Sequence, residues 1–144
     1  MIRPMKREDK EAVLGMMRDF YSSPAVLSNG SDEIFSADIE TCVNGSPYLE
    51  GYVFENEGAV SGYAMVAKSF YAEFGKPCIW IEDLYILPNH RRKGLGKEFF
   101  ALIFKKYEGC VFRLEVEEEN VGAFNLYKRC GFEILPYTEM KYEL

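Results

Sequence analysis

A chain of 144 residues, 48% hydrophobic and 28% charged, has the size and composition of one globular domain, expected to span residues 1–144. Its formal net charge of −6 excludes general affinity for nucleic acid, whose phosphates reward a basic surface, but leaves room for a local basic site. No apolar run approaches the roughly 20 residues of a membrane span, and Met1–Lys10 turns charged before any apolar core appears, so no secretory signal or membrane partner is expected and the location is read as cytoplasmic.

Met1 to Met5 can form a short strand. Residues 7–21 carry Val13, Met16, Met17, Phe20 and Tyr21 at helical spacing. A second helix is predicted over Asp32–Asn44, framed by Asn29-Gly30-Ser31 and Asn44-Gly45-Ser46-Pro47. Tyr48–Glu55 and Val60–Phe70 are rich in β-branched and aromatic residues and join through Asn56-Glu57-Gly58, which reads as a β-hairpin. After the turn-like Glu73–Pro77, the run Cys78–Leu87 is apolar except for Glu82 and Asp83. A strand that apolar is expected to be covered on both faces.

It stops at Pro88-Asn89, and the polar loop His90–Gly96 leads into a helix over Leu95–Tyr107. Cys110–Val116 is a further strand. Asn120 is placed to cap a helix running to Cys130, and Gly131-Phe132 has the form of a Schellman stop. A terminal strand or hairpin over Phe132–Leu144 closes the order β-α-α-β-β-β-α-β-α-β. The four cysteines, Cys42, Cys78, Cys110 and Cys130, form no CxxC pair, and there is one histidine. No metal site is expected, and the thiols read as free and mostly buried.

The most informative segment is Ile81–Gly96. A strand delivers a basic, glycine-bearing loop onto a helix N-terminus, whose free N–H groups and dipole suit a phosphate or pyrophosphate. Gly94 and Gly96 lack side chains where the backbone must approach an anion, and Arg91, Arg92 and Lys93 add positive charge. An ordinary turn with solvated basic residues is the alternative. The loop is neither GxxxxGK[ST] nor GxGxxG; it is Arg91-x-x-Gly94-x-Gly96.

That pattern resembles the R/Q-x-x-G-x-G/A signature of the GNAT superfamily of acyl-CoA N-acyltransferases. Asn120-Val-Gly-Ala-Phe-Asn-Leu-Tyr-Lys-Arg-Cys-Gly-Phe132 is similar to the second motif of that family, N-x-x-A-x-x-x-Y-x-x-x-G-F. The element order agrees from the first strand to the last, and Glu82-Asp83 is similar to the diamine acetyltransferase branch. The resemblance implies a mixed α+β (α/β) fold with a central, mostly antiparallel sheet and helices on both faces. It also implies acetyl-CoA as co-substrate, a small-molecule amine as acceptor and a homodimer, for which Phe132, Tyr137 and Tyr142 offer an apolar surface.

By the same resemblance, backbone amides of Arg92, Lys93, Gly94, Leu95, Gly96 and Lys97 would hold the coenzyme A pyrophosphate, with Arg91 beside them. Leu84, Tyr85 and Ile86 would meet the pantetheine arm where the strands 78–87 and 110–116 splay apart. Asn120, Ala123 and Tyr127 share one helix face, a polar, a small and a phenolic residue along a cofactor's path. The attacking amine, with a pKa near ~10, must lose a proton. Glu82 is the candidate base, directly or through a water; its alternatives are a structural ion pair or a group that orients the amine. Asp83 ranks second, because strand alternation turns it the opposite way unless a bulge intervenes. Tyr127 is the candidate acid toward the departing thiolate; its alternative is a core tyrosine packed on Phe124. No nucleophile–base pair involves a cysteine, so direct transfer in a ternary complex is expected. The other readings are a protein or peptide acetyltransferase and a non-catalytic acyl-CoA-binding domain. Acidic positions Asp32, Glu33, Asp38 and Glu73 favour a small cationic acceptor.

Overall fold

Alternating β-branched and aromatic residues build the sheet. In the computed structural model, which describes residues 1–144, the strands are β1 (Ile2–Pro4), β2 (Leu49–Asn56), β3 (Ala59–Tyr71), β4 (Lys76–Ile86) and β5 (Val111–Leu114). They lie side by side in that order. The first four pair antiparallel, and β5 joins β4 in parallel, giving the mixed, mostly antiparallel sheet expected. The β2–β3 hairpin turns at Glu57 and Gly58, both at positive φ (51° and 80°), as a two-residue primed turn requires.

Helices α1 (Lys10–Tyr21) and α2 (Asp32–Val43) cover one face; α3 (Leu95–Lys106) and α4 (Val121–Arg129) cover the other. On the first face Val13, Met17 and Ile39 pack against Val53, Tyr63 and Met65. On the second, Phe99, Phe100 and Ile103 pack against Phe54, Val66 and Ile79. The fourth strand, β4, feeds both cores, Ile79 and Ile81 on one side and Tyr85 on the other, so its apolar run is covered on both faces as predicted. Ser31 caps α2 through its Oγ, which accepts from the Ile34 amide at 3.2 Å. The α4 stop is a Schellman turn: Phe132 N–H donates to the Tyr127 carbonyl at 3.0 Å and Gly131 N–H to that of Lys128 at 3.1 Å, with Gly131 at φ 97°.

Two sequence expectations are corrected. Residues 132–144 form no strand or hairpin: Phe132 docks on Phe100 and Phe104, and the chain beyond it is exposed. Met140 and Tyr142 of this segment are 95% and 87% exposed and pair with no strand. Pro136 also withholds a ladder donor. Strand β5 ends at Leu114 rather than Val116, where Glu115 begins a run with Glu117, Glu118 and Glu119 whose charges need water. The four cysteines are free, with Cys78 buried and the others partly so. No helix is long and apolar enough to cross a membrane.

Candidate active site

The site begins where two strands part. β5 pairs with β4 only as far as Leu114 opposite Ile81, while β4 runs on to Ile86. On its other edge β4 stays paired with β3 through Ile86 opposite Gly62. Backbone groups of Leu84, Tyr85 and Ile86 that point away from β3 therefore have no strand partner, a condition proteins correct with a ligand or water. A cleft opens at this point. Ile81, Glu82 and Leu84 line it from β4, Asn120, Ala123 and Tyr127 from α4, and Phe20 from the end of α1. The three α4 residues thus share one face toward the cleft, as their spacing predicts.

Strand alternation alone misplaces Glu82 and Asp83. Met65 pairs with Asp83 and Val66 with Ile81, so Glu82 is the extra residue of a β-bulge. Ile81 packs into the α3/α4 core, while Asp83 turns to the α1/α2 side. The bulge leaves Glu82 at the open edge, among the cleft-lining residues. Its carboxyl meets solvent at the mouth but is backed by protein, and this partial loss of hydration, with Asp38 adding like charge, raises its pKa. Asp83 is 3% exposed and accepts hydrogen bonds from Tyr21 Oη (2.9 Å) and Tyr63 Oη (2.8 Å). Burial pushes it up to about 6, with Glu82 and Asp38 adding, against the opposing pull of the two phenols. It does not line the cleft.

Asp83 has a consequence for stability. A carboxyl whose pKa is higher in the folded chain holds its proton more tightly there. Its contribution is complete below about pH 4, the ordinary value, and is lost as pH rises through about 6. The loss is on the order of 3 kcal/mol. Denaturant titrations between pH 4 and 7 should show the wild type losing stability with rising pH and Asp83→Asn losing much less. Equal slopes for the two proteins would contradict the buried-carboxyl account.

Tyr127 packs edge-on against Phe100 (5.8 Å between ring centres) and contacts Phe132 (6.0 Å). Phe124, the alternative partner in the sequence, instead lies under Lys128. The Tyr127 ring is thus held by the core while its residue lines the cleft. Burial, with Cys130 adding, pushes its phenol up to about 12, so it remains a hydrogen-bond donor at neutral pH. Asn120 caps α4, its Oδ1 accepting from the Ala123 amide at 3.4 Å.

The basic loop meets α3 with its backbone turned left-handed at Arg92 (φ 59°) and at the N-cap Gly94 (φ 84°). For Arg92 this conformation is uncommon, and such turns direct successive N–H groups toward one point. No atom lies within 4 Å of where a Gly94 Cβ would stand. Arg92, Lys93 and Lys97 are exposed beside it, and Leu95 is partly buried on the α3 core. Arg91 folds back instead: its Nε donates to the Ile86 carbonyl at 2.7 Å and its guanidinium lies over the Tyr85 ring. Gly96 has a packing reason for lacking a side chain, since a Cβ there would meet Leu126 of α4 at 2.6 Å. That glycine also allows α3 and α4 to approach.

Of the acidic candidates, Asp38 acts on Glu82 and Asp83 through its charge. Asp32 pairs with Arg18 on the surface at 2.8 Å, and Glu33 is exposed. Glu73 accepts from Tyr71 and Tyr137. Phe20 and Ala25, which close the cleft from the α1 side, carry no motif; the helical stripe that includes Phe20 is the only signal in the sequence.

The family model for the acetyltransferase (GNAT) family matches residues 14–132. A thialysine N-epsilon-acetyltransferase of Mus musculus is 32% identical over 89 residues, 59% of this chain and 52% of that protein. L-ornithine N5-acetyltransferase NATA1 of Arabidopsis thaliana is 29% identical over 82 residues, 55% of this chain and 36% of that protein. The chain thus spans about half or less of the length of these two curated relatives. Among solved structures, the aminoglycoside acetyltransferase AAC(6')-Iy in complex with a bisubstrate analog superposes with a TM-score of 0.81 at 19% identity, covering 100% of this chain and 97% of that one. A possible acetyltransferase from Clostridium difficile 630 gives 0.82 at 19% identity, with the same coverage. A family model spanning most of the chain, over a fold shared from end to end, decides the assignment: this chain belongs to the acetyltransferase (GNAT) family.

Proposed function

We propose that the chain is an acetyl-CoA-dependent N-acetyltransferase that acetylates a small cationic amine by direct attack within a ternary complex. The observation that carries this reading is that Glu82 and Tyr127 line one cleft, at the point where β4 and β5 part. The coenzyme supplies an activated thioester. The free edge at Leu84–Ile86 fits its pantetheine arm, and the amides from Arg92 to Lys97 at the α3 terminus fit its pyrophosphate. Arg92, Lys93 and Lys97 add charge there, whereas Arg91 orders the strand end.

Glu82 accepts the proton that the ammonium must lose before its nitrogen can attack. Its raised pKa brings it closer to neutrality, where a base works best. Tyr127 donates to the departing sulfur. No cysteine, serine or histidine is among the cleft-lining residues, which supports direct transfer. Asp38 and Asp83 extend a negative field behind Glu82, which concentrates cations and weakens with salt. The relatives named for thialysine, ornithine and an aminoglycoside all take amine-bearing acceptors, which supports the same class.

The test is Glu82→Gln, assayed by thiol release with polyamine, amino acid and aminoglycoside acceptors. The variant should lose about 100-fold in kcat/KM at neutral pH, less at alkaline pH where the amine is already free, and keep its coenzyme affinity. A variant matching the wild-type rate across the pH range would refute Glu82 as the base.

A further inference from the structure

Beyond Glu82, the α1/α2 face of the sheet carries an arginine whose surroundings differ from those of the chain's paired cations. Phe112 and Leu114 of β5 pack into the α3/α4 core, so Arg113 between them turns to the opposite face. There its guanidinium is stacked between two rings, 4.4 Å from the centre of Tyr71 and 4.5 Å from that of Trp80. Its Nε is buried with no hydrogen-bond partner. None of the chain's ion pairs includes it.

Carboxylates are close by, yet each is otherwise placed. Glu73 is held by the hydroxyls of Tyr71 and Tyr137. Glu115 feels the Arg113 charge but lies beyond pairing distance and is turned toward Glu139. In a chain with six more acidic than basic groups, a half-buried, ring-clamped and unpaired guanidinium is a poor structural element. Held between two rings and in no ion pair, the guanidinium keeps its planar fork of donors for a carboxylate, which it can meet through two parallel hydrogen bonds.

Its position relates it to the chemistry. Arg113 lies directly opposite Trp80 in the β4–β5 register, and Trp80 is two residues from Glu82 on the same strand, a backbone rise of about 7 Å. That is the reach of a short alkyl chain. We propose that Arg113 is a specificity residue that binds a carboxylate of the acceptor, so that the acceptor is a diamino acid presenting its side-chain amine to Glu82 and not a simple diamine. This inference rests on the acetyltransferase reading above and narrows its substrate class.

The test compares L-lysine with cadaverine and L-ornithine with putrescine, pairs that share a skeleton and differ in the carboxylate. Wild-type protein should favour the amino acid of at least one pair by about ten-fold or more in kcat/KM. Arg113→Gln should raise KM for that amino acid by about ten-fold with little change in kcat, and leave the diamine and the coenzyme Kd unchanged. Arg113→Lys should recover part of the loss, since charge returns without the planar fork. Should Arg113→Gln fold poorly, judged by its coenzyme Kd, the wild-type preference and the lysine variant decide the matter. Equal losses for acid and diamine, or a wild type that prefers the diamines, would overturn the inference while leaving the acetyltransferase intact. Turnover of no amine at all would remove both.

Discussion

Tyr127→Phe is expected to lower kcat by about 100-fold while changing coenzyme affinity by no more than about two-fold. Phenylalanine keeps the edge-on contact with Phe100 and the contact with Phe132, so neither α4 nor the wall of the cleft should move. What disappears is one donor. The phenol, raised to about 12 by burial, is a weaker acid than a thiol of ordinary pKa near 8.5, so it need not transfer its proton outright. It stabilises the charge that grows on sulfur as the bond breaks, an interaction worth more in the transition state than in the ground state. The variant should therefore lose kcat and kcat/KM together, and coenzyme binding measured by calorimetry should stay put. A fall in coenzyme affinity equal to the fall in rate would mean that Tyr127 only holds the cofactor.

The same residue shows what sequence could and could not reveal. The spacing of Asn120, Ala123 and Tyr127 places all three on one face, because helical geometry is local. The partners of Tyr127 are not: Phe100 comes from another helix, and Phe124, its neighbour in sequence, proved to face elsewhere. Strand order and helix limits were legible to within a few residues, since hydrophobic period and turn chemistry determine them. The bulge at Glu82 was not, because nothing in Ile81–Leu84 departs from an ordinary strand; the extra residue exists only relative to Met65 and Val66 of β3. Gly96 shows the same limit: the basic loop marks it as room for an anion, and only the neighbouring helix shows that a Cβ there would also meet Leu126. The tail failed in the other direction. Phe132–Leu144 carries apolar residues that a strand could use but pairs with no neighbour, so pattern without a partner overpredicted structure.

Gly94→Val is expected to weaken coenzyme A binding by at least about ten-fold with little loss of global stability. Gly94 sits at φ 84° at the N-cap of α3, a conformation that costs a residue with a Cβ about 1–2 kcal/mol and a β-branched one more. A Cβ there would meet nothing within 4 Å, so the main cost is in the backbone. The loop can relieve it by turning the peptide out of the left-handed region. That rotation would misdirect the amides between Arg92 and Gly96, which together with the helix dipole are the groups proposed to meet the pyrophosphate. An exposed loop can relax in this way without unfolding the helix behind it, which is anchored by Phe99, Phe100 and Ile103. Gly96→Val makes the contrast. It forces a clash with Leu126, so it should lower the melting temperature by separating α3 from α4 as well as impairing binding. Calorimetric titration with coenzyme A and a thermal melt of each variant separate the two effects. Wild-type affinity in a well-folded Gly94→Val protein would show that the loop amides do not hold the coenzyme.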